Sequence, residues 1–270
     1  MKYIVLLTIA ITVLSCSKDS EQLEYFQHRD IETVFENDPN GINIYFTGGS
    51  YADADFEKTS GRYRADGIRI INQIFNTSPF SEYESYFNAY IVYVNPDIEA
   101  DPSESSSENV VRSLMPNFND DYDMILLSVN QYSVQGLAGG RVATFGFNDK
   151  DTMIHEVGHL AGSLGDEYYT ENTDFNTDFS GCANNNYPNL DITNNTEIIK
   201  WSHFIGLNGY ESIGIVEGGC GVEQGTWRPT INCVMRYGSQ YCAPCREAIV
   251  KQTLAARGLE YSFEEFLLSD

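Results

Sequence analysis

Positive charge is what this sequence has least of. Against 39 Asp and Glu, its 270 residues carry 16 Lys and Arg, for a formal net charge of −23. Nothing in such a chain neutralises phosphates, so nucleic acid is excluded as a partner, and direct adsorption to anionic lipid with it. Long apolar runs are missing too. The stretch Tyr3–Leu14 is free of charge but spans only twelve residues, short of the roughly 20 that cross a bilayer as a helix. Histidine is limited to four residues. Cysteines other than Cys16 fall in the C-terminal third, at Cys182, Cys220, Cys233, Cys242 and Cys245. A second CxxC that would complete a four-thiolate site beside Cys242-Ala243-Pro244-Cys245 is lacking, and so is a βαβ pattern of the thioredoxin kind.

What is present begins with the N-terminus. Lys2, the apolar run and Val13-Leu14-Ser15-Cys16 read as a signal peptide over 1–15 whose end resembles the lipobox of bacterial lipoproteins. That resemblance implies lipidation of Cys16 and an exported, lipid-anchored protein of the cell envelope, periplasmic or on the outer-membrane surface. Membrane association is then expected only through the anchor. Residues 16–40 are polar and acidic and read as a tether and lead-in, followed by a catalytic domain over 41–270. With 42% hydrophobic and 13% aromatic residues, that domain has the composition of a folded core. An exported chain meets oxidising conditions, so disulfides are the expectation for the five remaining cysteines, one of them left over.

Alternation of β-branched and aromatic residues predicts a strand at Ile42–Thr47, ended by Gly48-Gly49. Apolar spacing predicts one long helix over Asp53–Phe75. Further strands are expected at Phe87–Val94, Asp123–Val129 and Arg141–Phe147, the last at or near a sheet edge. An exposed Ser- and Glu-rich loop is expected at Asp101–Glu108. Residues 170–200 should be rich in loops, and a final helix is expected from Cys245 to about Arg257. The sum is an α/β (α+β) architecture, a twisted mixed sheet with a backing helix and an irregular, disulfide-containing C-terminal part.

Two of the four histidines sit in His155-Glu156-Val157-Gly158-His159. Four residues apart on a helix, both imidazoles share one face, as two ligands of a tetrahedral zinc require. Glu156 lies beside them as general base for a metal-activated water. Thr152 or Asp151 is expected to cap this helix and Gly162 to end it. For the third ligand the first choice is Asp166, then Glu167, then His203, with Gly162 and Gly165 supplying the left-handed turn that aims a carboxylate back. The acid that does not ligate would orient a ligand histidine or cap the following loop. Arg228 and Arg236 are scarce cations, read as contacts for substrate or as partners of Asp166 or Glu167. One catalytic Zn2+ is the expected cofactor, and the acidic composition leaves room for a structural Ca2+ ion.

The segment HEVGHLAGSLGDEYY (155–169) resembles the active-site helix and exit of the IgA-peptidase family of zinc metallopeptidases. Ile42–Tyr51, Phe87-Asn88-Ala89-Tyr90, Trp227-Arg228-Pro229, Cys233-Val234-Met235-Arg236-Tyr237 and Cys242–Ala248 resemble further blocks of that family, so the likeness covers about 41–250. Gly49-Ser50 departs from its Asp-Gly pair. The resemblance implies a metzincin-like zincin domain, with Met235 of the Met-turn as the floor of the metal site. It also implies Tyr237, with Tyr168 and Tyr169 behind it, as contacts to the oxyanion. Compared with the usual metzincin spacing, the sixth residue after His159 is Gly165, and Asp166 stands one place later. The function implied is a secreted zinc-dependent endopeptidase acting on protein or peptide. The alternatives are a non-catalytic binding lipoprotein on the same scaffold and a hydrolase of non-peptide amides.

Overall fold

A computed structural model of the chain describes residues 23–49, 51–94, 104–129, 136–146, 148–174 and 186–270. The signal peptide, the lipobox with Cys16, and Cys182 lie outside these residues. Six strands form the main sheet: β1 (Ile31–Glu36), β2 (Ile42–Gly49), β3 (Phe87–Val92), β4 (Met124–Val129), β5 (Leu137–Gly139) and β6 (Val142–Gly146). Their order is β1-β3-β2-β4-β6-β5. The inner pairs β2/β3, β2/β4 and β4/β6 are parallel, while β1 and β5 close the two edges antiparallel. The architecture is mixed α/β.

Strand alternation sorts the side chains onto two faces. Ile44 and Phe46 of β2 and Met124 and Leu126 of β4 join the main core with α1 (Arg62–Phe75), α3 (Lys150–Gly162) and α4 (Ala243–Ala256). Tyr45 and Ile125 point the other way, onto Val110 and Val111 of α2 (Glu104–Leu114). The main core runs from Ile42 to Phe266, the latter in the short α5 (Phe263–Ser269). A second sheet, in the order β7-β9-β8, comprises β7 (Tyr169–Asp174), β8 (Val216–Gly219) and β9 (Gly221–Arg228). Among the described residues no helix is long and apolar enough to cross a membrane.

Several local expectations need correction. Ile31–Glu36, in the stretch read as a tether, is strand β1, with Val34 and Phe35 packed on the core. From Glu104 onward the expected loop is helix α2, anchored by Val110 and Val111 and by the Arg112–Glu108 ion pair at 2.6 Å. The long helix begins only at Arg62. Before it, a 3-10 turn at Asp53–Phe56 is followed by a loop gathered by the Glu57 carboxylate, which accepts from the Thr59 and Ser60 amides and hydroxyls at 2.5–2.9 Å. Such local bonds compete with the helical ladder. The hydrogen bonds from Ser60 and Thr59 bring the Glu57 carboxyl down to about 2.

Candidate metal centre

Helix α3 is capped by Asp149, which accepts from the Thr152 amide at 3.0 Å and from its hydroxyl at 2.6 Å. Neither Thr152 nor Asp151 is the cap residue. At the other end the left-handed residue is Ser163 (φ 48), and neither Gly162 nor Gly165 adopts a positive φ. Gly158 is glycine because of close approach: a Cβ there would lie 2.8 Å from both Met235 Sδ and Tyr241 Cε1. Met235 is fully buried against the helix, and the Tyr241 hydroxyl donates to the Ile154 carbonyl. Helix and Met235 turn are thus in direct contact at the middle of the HEVGH motif.

The two imidazoles are held by backbone. His155 Nδ1 lies 2.9 Å from the Val234 carbonyl, and His159 Nδ1 lies 2.7 Å from the Leu164 carbonyl. A carbonyl only accepts, so each Nδ1 carries its proton and each Nε2 turns into the cleft. The Nε2 atoms stand 3.1 Å apart. Asp166 Oδ1 lies 2.9 Å from that of His155 and 3.3 Å from that of His159. A tetrahedral ion with bonds of about 2.0–2.1 Å needs ligand edges of roughly 3.3 Å, so this donor set fits zinc. Electrostatics point the same way, because two Nε2 atoms and a carboxylate converge on one point, where a positive charge, proton or ion, must stand between them. Burial acts against ionisation of both groups. The mutual hydrogen bonds nonetheless hold Asp166 well below the usual carboxylate range and, with the Leu164 carbonyl, push His159 up.

Glu156 is buried, with Oε2 4.0 Å from His159 Nε2, and burial raises its carboxyl. The main chain at Gly136 crosses it so closely that a Cβ would sit 2.1 Å from Oε1. A cleft of about 560 Å³ opens here, lined by Gly136–Ala138, His155, Glu156, His159, Asp166 and Tyr168 among others. Tyr168 is half-exposed, its ring stacked near His155 at 6.2 Å. Burial, then the charge of Asp166, push its hydroxyl up to about 12. Tyr237 stands exposed at the rim of an adjoining hollow shared with His155 and Glu156.

Other expected site residues lie elsewhere. Glu167 faces away from the histidine pair and is fully buried, accepting from Asn189 Nδ2 at 3.0 Å. Asn189 also bonds the Gly165 amide and carbonyl, at 2.8 and 2.9 Å. Its role had no sequence signal beyond an Asn in a loop-rich stretch. His203 pairs with Glu247 at 3.0 Å, away from the centre. Arg228 pairs with neither Asp166 nor Glu167: it is buried, donates to the Glu217 and Gly218 carbonyls, and covers the Tyr169 ring at 5.6 Å. Arg236 packs between the Tyr169 and Tyr237 rings at 5.4 and 5.2 Å, at the edge of the hollow. Cys220 is disulfide-bonded. Cys233, Cys242 and Cys245 are free thiols, contrary to the bridging expected of them, and all three are buried. No protein-family model and no curated protein matches this chain.

Proposed function

We propose that this chain is a zinc-dependent endopeptidase with a metzincin-like catalytic domain, exported and lipid-anchored through Cys16. The observation that carries the reading is the convergence of His155 Nε2, His159 Nε2 and Asp166 Oδ1, 2.9–3.3 Å apart, beside the buried carboxyl of Glu156. When bound, zinc supplies a Lewis acid for the scissile carbonyl and lowers the pKa of water to about 7. His155, His159 and Asp166 would hold it, with the Val234 and Leu164 carbonyls keeping both imidazoles in the ligating tautomer.

Glu156 accepts the proton of the attacking water and returns it to the leaving nitrogen. A carboxyl raised by burial suits both halves of that transfer. Tyr168, protonated at neutral pH, and the exposed Tyr237 are the hydroxyls available to the oxyanion that develops on the substrate carbonyl. Strand β5 offers the substrate its path. This strand is a sheet edge, and its first residues line the cleft. An extended peptide can add to such an edge by main-chain hydrogen bonds, which favours protein over small amides as substrate.

The test is cleavage of an unfolded protein by the zinc-loaded chain, with and without chelator, alongside Glu156→Gln. Chelator-sensitive cleavage that is lost in Glu156→Gln is the expected result. Stoichiometric zinc with no turnover of any unfolded substrate would replace this reading with that of a binding lipoprotein on the same scaffold.

A further inference from the structure

The three free thiols and Glu167 are gathered at one point. Cys233 Sγ and Cys242 Sγ lie 3.6 and 3.4 Å from Cys245 Sγ, and Glu167 Oε1 lies 3.4 Å from the same sulfur. All four ligating atoms fall within 4.8 Å of one another, and all four residues are buried. The sulfur separations far exceed the roughly 2.05 Å of a disulfide. They lie close to the edges of a tetrahedron around zinc, about 3.8 Å between sulfurs and about 3.5 Å from sulfur to oxygen for Zn–S near 2.3 Å and Zn–O near 2.0 Å.

Two further observations point to an ion. Glu167 is 0% exposed, and its second oxygen, Oε2, has no hydrogen-bond partner. An isolated buried carboxylate is costly unless something positive faces it. The thiols are also placed where thiolates are stabilised. Cys242 is the N-cap of α4 and Cys245 lies in its first turn, at the positive end of the helix dipole, and the Cys242 amide donates to Cys233 Sγ at 3.4 Å.

We infer that Cys233, Cys242, Cys245 and Glu167 form a second, closed zinc site, structural in role and separate from the histidine centre. Three thiolates and one carboxylate fill a tetrahedron and leave no position for substrate or water. Soft sulfur ligands select zinc over calcium or magnesium, so the structural ion of this chain is thiolate-bound zinc. Loading it releases the thiol protons and ties three segments together: the turn carrying Met235, the segment after Gly165, and the start of α4. That clamp reaches the first centre through two hydrogen bonds to backbone carbonyls, from the Glu167 amide to Met235 at 2.8 Å and from His155 Nδ1 to Val234 at 2.9 Å.

Zinc content of the full chain, purified metal-replete, and of a His155→Ala/His159→Ala double variant tests this independently of catalysis. Two zinc per chain in the parent and one in the double variant are expected. One in each would support the thiolate site and sink the proposed histidine centre. One in the parent and none in the double variant would overturn the thiolate site. Cobalt substitution of the parent supplies a readout that needs no cysteine variant: a thiolate-to-cobalt charge-transfer band is expected, and its absence counts against the site. Adding Cys245→Ala to the double variant should remove the remaining zinc. Titration of the unfolded, metal-stripped chain should find all three thiols, whereas two missing thiols would mean a disulfide and overturn the proposal.

Discussion

Asp166 and Glu167 are neighbours in the chain, yet each belongs to a different world. Asp166 stands in a cleft with two half-buried imidazoles and its side chain one-third exposed. Glu167 is sealed among thiols, with Asn189 as its one hydrogen-bond partner from a side-chain amide. Both groups have the spacing of tetrahedral donors. One is open on a side that water and peptide can reach, and the other is closed on every side. Openness suits chemistry and closure suits holding, so under the proposed reading access alone separates two clusters of similar ligating power.

The comparison can be broken most forcefully at Glu156. Glu156→Gln should keep zinc at both clusters while kcat falls by about 10²–10⁴, the usual contribution of general acid–base catalysis. Single-turnover cleavage of an unfolded protein beside metal analysis checks it. Next comes the acid pair. Asp166→Ala should lose the cleft zinc and all cleavage while keeping the thiolate zinc. Glu167→Ala should keep the cleft ligands but weaken affinity or activity there by about 10–100-fold, the effect of removing a group that supports a metal ligand. Cleavage that survives Asp166→Ala but not Glu167→Ala would invert the assignment.

Gly158→Ala probes the contact between helix and Met235 turn. Helix propensity favours alanine by about 1 kcal/mol, but its Cβ meets Met235 and Tyr241 at 2.8 Å. Overpacking a buried site costs about 1–3 kcal/mol, and Tyr241 is pinned by its hydrogen bond to Ile154. The net expectation is a loss of about 1 kcal/mol, or roughly 2–4 °C in Tm for a domain of this size. An unchanged or raised Tm would show that the turn gives way.

The smallest effect is expected at an ion pair that belongs to neither cluster. Burial opposes ionisation of Glu247, but hydrogen bonds from His203, Lys251 and Tyr261 outweigh it and lower its carboxyl. A folded pKa below the unfolded value gives stability that is present above the ordinary carboxylate range, near 4.5, and is lost as pH falls through the depressed value. Glu247→Gln should therefore lower stability at neutral pH and flatten its fall in acid. Denaturant midpoints at pH 7 and pH 3 would show the two curves converging.

Much of the first cluster was readable from residue order. His155 and His159 are one helical turn apart, and a helix converts that spacing directly into geometry. The strands β2 and β4 announced themselves by alternation or by an unbroken apolar run. What escaped was decided at longer range. Helix α2 is Ser-rich, and it is Val110 and Val111 meeting Tyr45 and Ile125 that give it a place. Strand β1 has only a short alternating pattern and is set by its pairing with β3. The turn after α3 uses Ser163, although two glycines offered themselves nearby. The thiol cluster joins Glu167 to Cys245, 78 positions apart, and no local pattern encodes such a meeting. Asp166 was distinguished from Glu167 only by the direction each side chain takes.

Adjacency in the chain ties the two carboxylates together. Asp166 Oδ1 reaches the imidazoles and Glu167 Oε1 reaches the thiols from neighbouring residues, so the chain between α3 and β7 serves both clusters at once. Deleting or inserting one residue between His159 and Asp166 would disturb both clusters together, because neither acid can move without the other. The length of this short exit is therefore set by two clusters rather than by one.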